Sequence, residues 1–125
     1  MKKSVATLSA CCPPVLQGRL GQAAAEQIAG AFKALADPAR LRLLSFIAAQ
    51  PSGEACVCHL MKPLDISQPT VSHHLKVLFE AGLLERERRG TWVYYRIVPE
   101  RLTALRDALV LPSASPRAKS AAGKR

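Results

Sequence analysis

The sequence predicts a mainly α-helical domain with a small β-hairpin, α+β in class, arranged as a winged helix-turn-helix and working as a dimer. Three observations carry that expectation. The stretch from Ile66 to Gly82 reads as a well-capped helix with an apolar stripe on one side and short polar side chains on the other. A short helical segment and a tight turn precede it, so the two make a helix-turn-helix. After Gly82 the apolar period drops from about 3.6 to 2 in two brief runs, the pattern of a hairpin. With 125 residues, 49% of them hydrophobic, the chain holds one modest core, which small domains often complete by pairing.

Residues 1 to 20 are expected to form a flexible arm, because Cys11-Cys12-Pro13-Pro14 opposes a helix and favours extended chain. The folded domain is expected over residues 21 to 111. Residues 22 to 36 read as a helix with Ala25, Ile28, Phe32 and Leu35 in a stripe. Asp37-Pro38 pairs an N-cap with a proline at the first helical position. The next helix carries Leu41, Leu44 and Ile47 until Gln50-Pro51-Ser52-Gly53 stops it. A short helix from about Cys56 to Lys62 and a turn at Pro63-Leu64-Asp65 lead to the main helix. There Ser67 caps, Pro69 sits in the first turn, and Ile66 packs on Val71 as a hydrophobic staple. Val71, Leu75, Leu78 and Phe79 face inward, and Ala81-Gly82 closes the element.

Leu83 to Arg88 and Trp92 to Ile97 read as strands joined by Arg89-Gly90-Thr91, a wing with a basic tip. Pro99 opens a last helix with Leu102, Leu105 and Leu109 on one side and Arg101, Arg106 and Asp107 on the other. That stripe suits a dimer interface shared with the helix at 22 to 36. Residues 112 to 125, rich in Pro, Ser, Ala and Lys, are expected to be disordered.

The chain carries 18 basic and 9 acidic residues, a net charge of +9. Lys2, Lys3, Arg117, Lys119, Lys124 and Arg125 supply two thirds of it, leaving about +3 on the body. A nucleic-acid partner is therefore argued from where charges sit more than from the isoelectric point. No apolar run approaches a membrane span, so no membrane partner is expected. Met1-Lys2-Lys3 ahead of Leu8-Ser9-Ala10-Cys11 imitates a lipoprotein signal, but Ser4-Val5-Ala6-Thr7 is too short and polar for its apolar core. A cytoplasmic protein is expected. The absence of a C-x-x-C pair, a glycine-rich phosphate cradle and a nucleophile with an acid-base partner argues against an enzyme and against an organic cofactor.

Gln68, Thr70, Ser72 and His73 crowd the N-terminal end of the capped helix, the end a recognition helix presents to base edges of double-stranded DNA. Lys76, one turn on, suits a phosphate. Arg88 and Arg89 at the wing tip suit phosphates or a minor groove. His74 falls near the apolar face and reads as a packed, hydrogen-bonded histidine.

The chain has four cysteines, Cys11, Cys12, Cys56 and Cys58. In a reducing compartment such residues are ligands, sensors or buried hydrophobes more often than disulfides. Thiolates select soft ions, and no carboxylate cluster suits calcium or magnesium. On a regular helix, positions two apart point away from each other, so Cys56 and Cys58 grip one ion only where their helix start is extended or unwound. Binding is then expected to deform the helix that braces the recognition helix. Thiols at a helix start are also expected to have lowered pKa values. A trigonal site needs a third sulfur, which Cys11 or Cys12 can supply, from the partner subunit if the arm crosses over. His59 is a candidate fourth ligand for a harder ion such as zinc.

Four blocks in order, Phe32 to Leu44, Glu54 to Leu60, Ser67 to Leu75 and Arg89 to Arg96, resemble the ArsR/SmtB family of metal-responsive repressors, in particular its arsenic-sensing branch. The resemblance implies a homodimer that sits on an operator, blocks transcription of a resistance operon and leaves DNA when its inducer binds. It places the family's Cys-Val-Cys box on Cys56 and Cys58 and its DNA-reading positions on Gln68, Ser72 and His73. The inducer it implies is As(III), with Sb(III) next and Cd(II) or Pb(II) behind. Two departures stand out: Met61 where the best-known arsenic box has a third cysteine, and His59 where an acid is usual. Related branches bring N-terminal cysteines to the same box, which fits Cys11 and Cys12. Residues 99 to 111 hold no histidine, against the family's zinc site on the last helix. The alternatives on this scaffold are a Cd(II), Pb(II) or Zn(II) sensor and a repressor that senses oxidation by thiol-disulfide exchange.

Overall fold

A computed structural model describes residues 13–112. Cys11, Cys12 and the tail beyond residue 112 lie outside the described residues. The elements are α1 (Gln22–Leu35), α2 (Pro38–Ala49), β1 (Glu54–Cys56), α3 (Val57–Leu64), α4 (Gln68–Glu80), β2 (Leu84–Arg89), β3 (Trp92–Ile97) and α5 (Pro99–Ala108). This is the winged helix-turn-helix, with α3 and α4 as the two helices and β2–β3 as the wing.

The helix starts follow local chemistry. Asp37 accepts from the amides of Ala39 and Arg40 ahead of α2, and Ser67 accepts from the Thr70 amide ahead of α4. Such caps satisfy donors that the helix leaves unpaired, each worth about 1 kcal/mol. Gly82 takes φ +80 behind α4, and a Cβ there would meet the Arg101 guanidinium at 2.7 Å. Glycine is favoured there for the left-handed turn, while the Arg101 side chain could swing aside from a Cβ.

The core gathers Leu43 and Ile47 from α2, Leu60 and Leu64 from α3, and Val71, Leu75 and Leu78 from α4, closed by Leu83, Leu84 and Tyr95 under the wing. α3 thus packs directly on α4, and Ile66 lies on the same cluster. No helix among the described residues is long and apolar enough to cross a membrane.

Several expectations need correction. A strand, Glu54–Cys56, precedes the short helix, which starts at Val57 and not at Cys56. The three-stranded sheet has the order β1-β3-β2, and Cys56 pairs with Tyr94. α3 runs through Pro63 and Leu64, and the turn falls on Asp65 at φ 55. Pro63 near the helix end forfeits only one hydrogen bond, to the carbonyl of His59. On α1 the buried positions are Ile28, Ala31 and Ala34, with Phe32 and Leu35 half-buried beside them. Leu41 is 51% exposed and Leu43 takes its place in the core; Leu109 is exposed and Ala108 is buried. Phe79 is only half-buried, at the edge of the α4 stripe. Arg101 does not face away: its Nε donates to the Ala81 carbonyl at 3.2 Å. The wing turn tightens to two residues, with Arg89 opposite Trp92 and Gly90 at φ +68. Glycine at the first central position suits a type II′ hairpin turn.

Candidate nucleic-acid interface and thiol site

The outer face of α4 follows from its inner one. With Val71, Leu75 and Leu78 buried, the helical period leaves Gln68, Thr70, Ser72, His73 and Lys76 exposed. Ser67 Oγ also donates to Thr70 Oγ1 at 3.0 Å, so the Thr70 hydroxyl is committed to the cap. Gln68, Ser72 and His73 keep side chains free of any such bond to the cap, at the end of the helix where amide dipoles point outward.

His74 turns inward. Arg40 Nη1 donates to His74 Nδ1 at 3.1 Å, and Asp37 Oδ2 lies 4.0 Å from His74 Nε2. Arg40 Nε also donates to the Ala34 carbonyl at 2.6 Å. An imidazole that accepts from a guanidinium is neutral, with its proton on Nε2 facing Asp37. Burial lowers its pKa below the ordinary 6.5, and Arg40 and His73 add to that against the pull of Asp37. This clamp fixes α4 to the α1–α2 corner. Sequence reasoning placed His74 on the packed side but had no signal for Arg40, 34 residues away.

On the wing, Arg88 is exposed as expected. Arg89 is not a free tip residue: Nη1 and Nη2 bind Glu54 at 2.8 and 2.9 Å, Nη2 binds Glu87 at 2.8 Å, and the guanidinium lies 4.4 Å from the Tyr94 ring centroid. The hydrogen bond from Arg89 holds the Glu54 carboxyl below its ordinary pKa, despite some desolvation. Arg86 stacks 4.0 Å from the centroid of Phe79 and joins the wing to α4. Trp92 is 53% exposed beside the turn.

The thiol site sits where β1 becomes α3. Cys56 is at once the last strand residue and the helix N-cap, in extended conformation at φ −97 and ψ 160. An N-cap side chain leans over the first helical turn, so Cys56 comes alongside Cys58 and His59. Their ligand atoms all lie within 4.8 Å of one another. The extended helix start that helical geometry requires is supplied by the last residue of the strand, so α3 itself stays wound. Cys56 is 2% exposed and Cys58 is exposed. A hydrogen bond to Cys56 raises the Cys58 pKa above its ordinary 9.0, with desolvation adding to it. The lowered thiol pKa expected at a helix start is therefore not found at Cys58. Met61 is half-buried against the core. The pair of soft donors fits a thiophilic ion, with buried Cys56 as a fixed ligand and Cys58 as a mobile one.

Residues 37–86 match the bacterial regulatory protein, arsR family. The chain is 52% identical over 69 residues to the arsenic resistance transcriptional regulator ArsR1 of Pseudomonas putida, a match covering 55% of this chain and 52% of that protein. It therefore spans about half the length of that relative. To the arsenical resistance operon repressor of Bacillus subtilis it is 39% identical over 74 residues, 59% of this chain and 69% of the other. The solution structure of the homodimeric winged helix-turn-helix DNA-binding domain Mb0332 from Mycobacterium bovis superposes with a TM-score of 0.59 at 32% identity, over 73% of this chain and 84% of that one. Capped polar helix, hairpin wing and the sequence kinship agree: the chain belongs to the arsR family of regulatory proteins, which are not enzymes.

Proposed function

We propose that the protein is a homodimeric repressor that binds operator DNA and lets go when As(III), or the similar Sb(III), is captured by Cys56, Cys58 and a cysteine of the arm. The observation that carries this reading is the thiol pair at the β1–α3 junction. It touches both elements that would meet DNA: Cys56 pairs with Tyr94 on the wing strand, and α3 packs on α4. Capture of the ion draws exposed Cys58 toward buried Cys56, which shifts the start of α3 against α4 and pulls on the strand that holds the wing. The condensation balances without an oxidant: arsenous acid and three thiols give a tris-thiolate and three waters.

Gln68, Ser72 and His73 read base edges, with Thr70 as the capped edge of that face, while Lys76 and Arg88 serve phosphates and Arg89, held by Glu54 and Glu87, braces the wing behind them. Two α4 helices in a dimer formed through α1 and α5 would meet half-sites about 34 Å apart. Residues 1 to 20 act as the cysteine-bearing arm, 21 to 111 as the DNA-binding and dimerisation domain, and 112 to 125 as a basic tail. The protein works in the cytoplasm, away from the membrane. Coupling between ion and DNA in such switches is typically 1–3 kcal/mol, about 5- to 150-fold in affinity.

The test is fluorescence anisotropy on the protein's own promoter. Arsenite should release the wild type, whereas C56S/C58S should bind DNA normally and stay bound. Release of that double variant by arsenite, or none from the wild type, rules the reading out. Peroxide release that a thiol reductant reverses, with no effect of arsenite, would favour the redox alternative.

A further inference from the structure

We propose that Trp92 is a DNA contact in its own right: its indole lies along the sugar wall of a minor groove beside each half-site, while Arg88 on the opposite face of the wing meets the phosphates of the other strand. The inference rests on the DNA binding proposed above and on nothing about the inducer.

The hairpin leaves the indole uncovered. Strand alternation puts Trp92 and Tyr94 on one face of β3 and Val93 and Tyr95 on the other, and the register sets Arg89 opposite Trp92 and Arg88 opposite Val93. Tyr95 is buried under the wing, so Trp92 belongs to the outer face. Arg89 would be the natural cover for the indole, since it is the directly opposed residue and a guanidinium stacks well on an aromatic ring. Two carboxylates draw it the other way. Held by Glu54 and Glu87, its guanidinium lies 4.4 Å from the Tyr94 centroid instead. Trp92 stays 53% exposed, the one aromatic among the large apolar side chains exposed in the described residues.

What covers it follows from its neighbours. The indole flanks a turn made by Gly90 and Thr91, and Arg88 is exposed on the other face of the same tip. Arg86 stacks on Phe79 of α4, which ties the wing to the helix that enters the major groove. A duplex seated on α4 therefore brings its neighbouring minor groove to the tip. A minor groove about 6 Å wide admits the turn but not the side chains behind it, so these stay against its two walls. One wall receives a cation for phosphates, and the other a flat apolar ring for deoxyribose carbons. The indole N–H is a donor. In the minor groove A·T pairs offer only acceptors whereas G·C adds a donor, so this contact favours A·T.

Trp92 is the single tryptophan of the chain, so its fluorescence reports the contact directly. On saturating promoter duplex, quenching of the full-length wild type by acrylamide should fall several-fold. W92T keeps a strand former at an exposed position. It should lose about tenfold or more in affinity, since covering the exposed half of an indole buries on the order of 100 Å² of apolar surface. W92F should recover much of that loss. The slope of log K against log salt should be unchanged in W92T and shallower in R88A, by about one per phosphate lost. Exchanging A·T pairs outside the half-sites for I·C, which keeps their minor-groove pattern, should preserve wild-type affinity. Exchange for G·C should lower it, but not that of W92T. Quenching unchanged by DNA, or W92T binding as tightly as the wild type, would overturn the proposal. So would quenching that falls with protein concentration alone, which would assign the indole to a contact between chains. If the wild type bound no promoter DNA, the repressor reading would fall as well; binding that leaves Trp92 exposed ends this inference alone.

Discussion

At the scale of single residues, the main surprise is how much of α4 is held by one histidine. His74 sits on the packed side, where helical spacing puts it, but its hydrogen bond to Arg40 and its approach to Asp37 depend on contacts across more than thirty residues. Local patterns do not record such contacts. The same limit explains why Leu41 and Leu109, apolar and at helical spacing, turned out exposed. Periodicity shows which residues share a face, not how far a neighbouring element covers it. Gln68, Ser72 and His73 were legible because a cap and a buried stripe fix the opposite face. The clamp makes stability depend on pH. His74 titrates below 6.5 when folded and near 6.5 when unfolded, so the unfolded chain binds the extra proton first. Its contribution is fully present above about pH 6.5 and is lost as pH falls through the folded value. In H74N the amide oxygen can take the Arg40 hydrogen bond without a charge to gain. Urea midpoints from pH 7.5 to 5 should fall less steeply for H74N than for the wild type; parallel slopes would remove His74 as the cause.

At the scale of elements, β1 changes the mechanism and was not legible. Glu54-Ala55-Cys56 is too short to show alternation, and it becomes a strand only by pairing with β3. That pairing puts the thiol site one hydrogen-bonded row from the wing and removes any need to unwind α3. Helix, cap and hairpin were legible because Ser67, Asp37, Gly82 and Gly90 act within a few residues of themselves. The other end of β1 holds the wing: Glu54 binds Arg89 through both carboxylate oxygens, and Arg96 lies 3.4 Å from Oε1. One strand thus carries a ligand sulfur at one end and the tether of a wing arginine at the other. E54Q combined with E87Q removes both carboxylates from Arg89 and should free it for a phosphate on each half-site. The slope of log K against log salt for operator binding should steepen by about one per phosphate gained, with little change in Tm because Arg89 is partly exposed and surface pairs contribute little. An unchanged salt slope would show that Glu54 only decorates the sheet.

At the scale of the whole molecule, the question is where the third sulfur comes from, since four cysteines in a sequence do not say which subunit completes which site. The described part of the arm supplies a clue. Val15 donates its amide to the Ala108 carbonyl at 2.9 Å, and Gln17 Nε2 donates to the Val110 carbonyl at 3.3 Å, so the arm leaves from the end of α5. Among the elements α5 packs on α1 alone, and β1 and α3 lie elsewhere. Cys12 is three positions from Val15 along the chain, a reach of at most about 11 Å. The helix that anchors the arm does not pack on β1 or α3, which carry Cys56 and Cys58 of the same chain. If the dimer forms through α1 and α5, with Leu109, Val110 and Leu111 exposed beside them, the anchor of the arm at Val15 and Gln17 lies next to the interface. Crossed sites have a signature that uncrossed ones lack. Homodimers of C11S/C12S and of C56S/C58S should each bind the operator and ignore arsenite. Unfolded together and refolded as a mixture, half of the dimers are hybrids, and each hybrid has one complete site: Cys56 and Cys58 from one chain, Cys11 and Cys12 from the other. Arsenite should then release part of the bound DNA from the mixture. If sites form within one chain, no hybrid contains a complete one, and the mixture should stay on its operator at any arsenite concentration that frees the wild type.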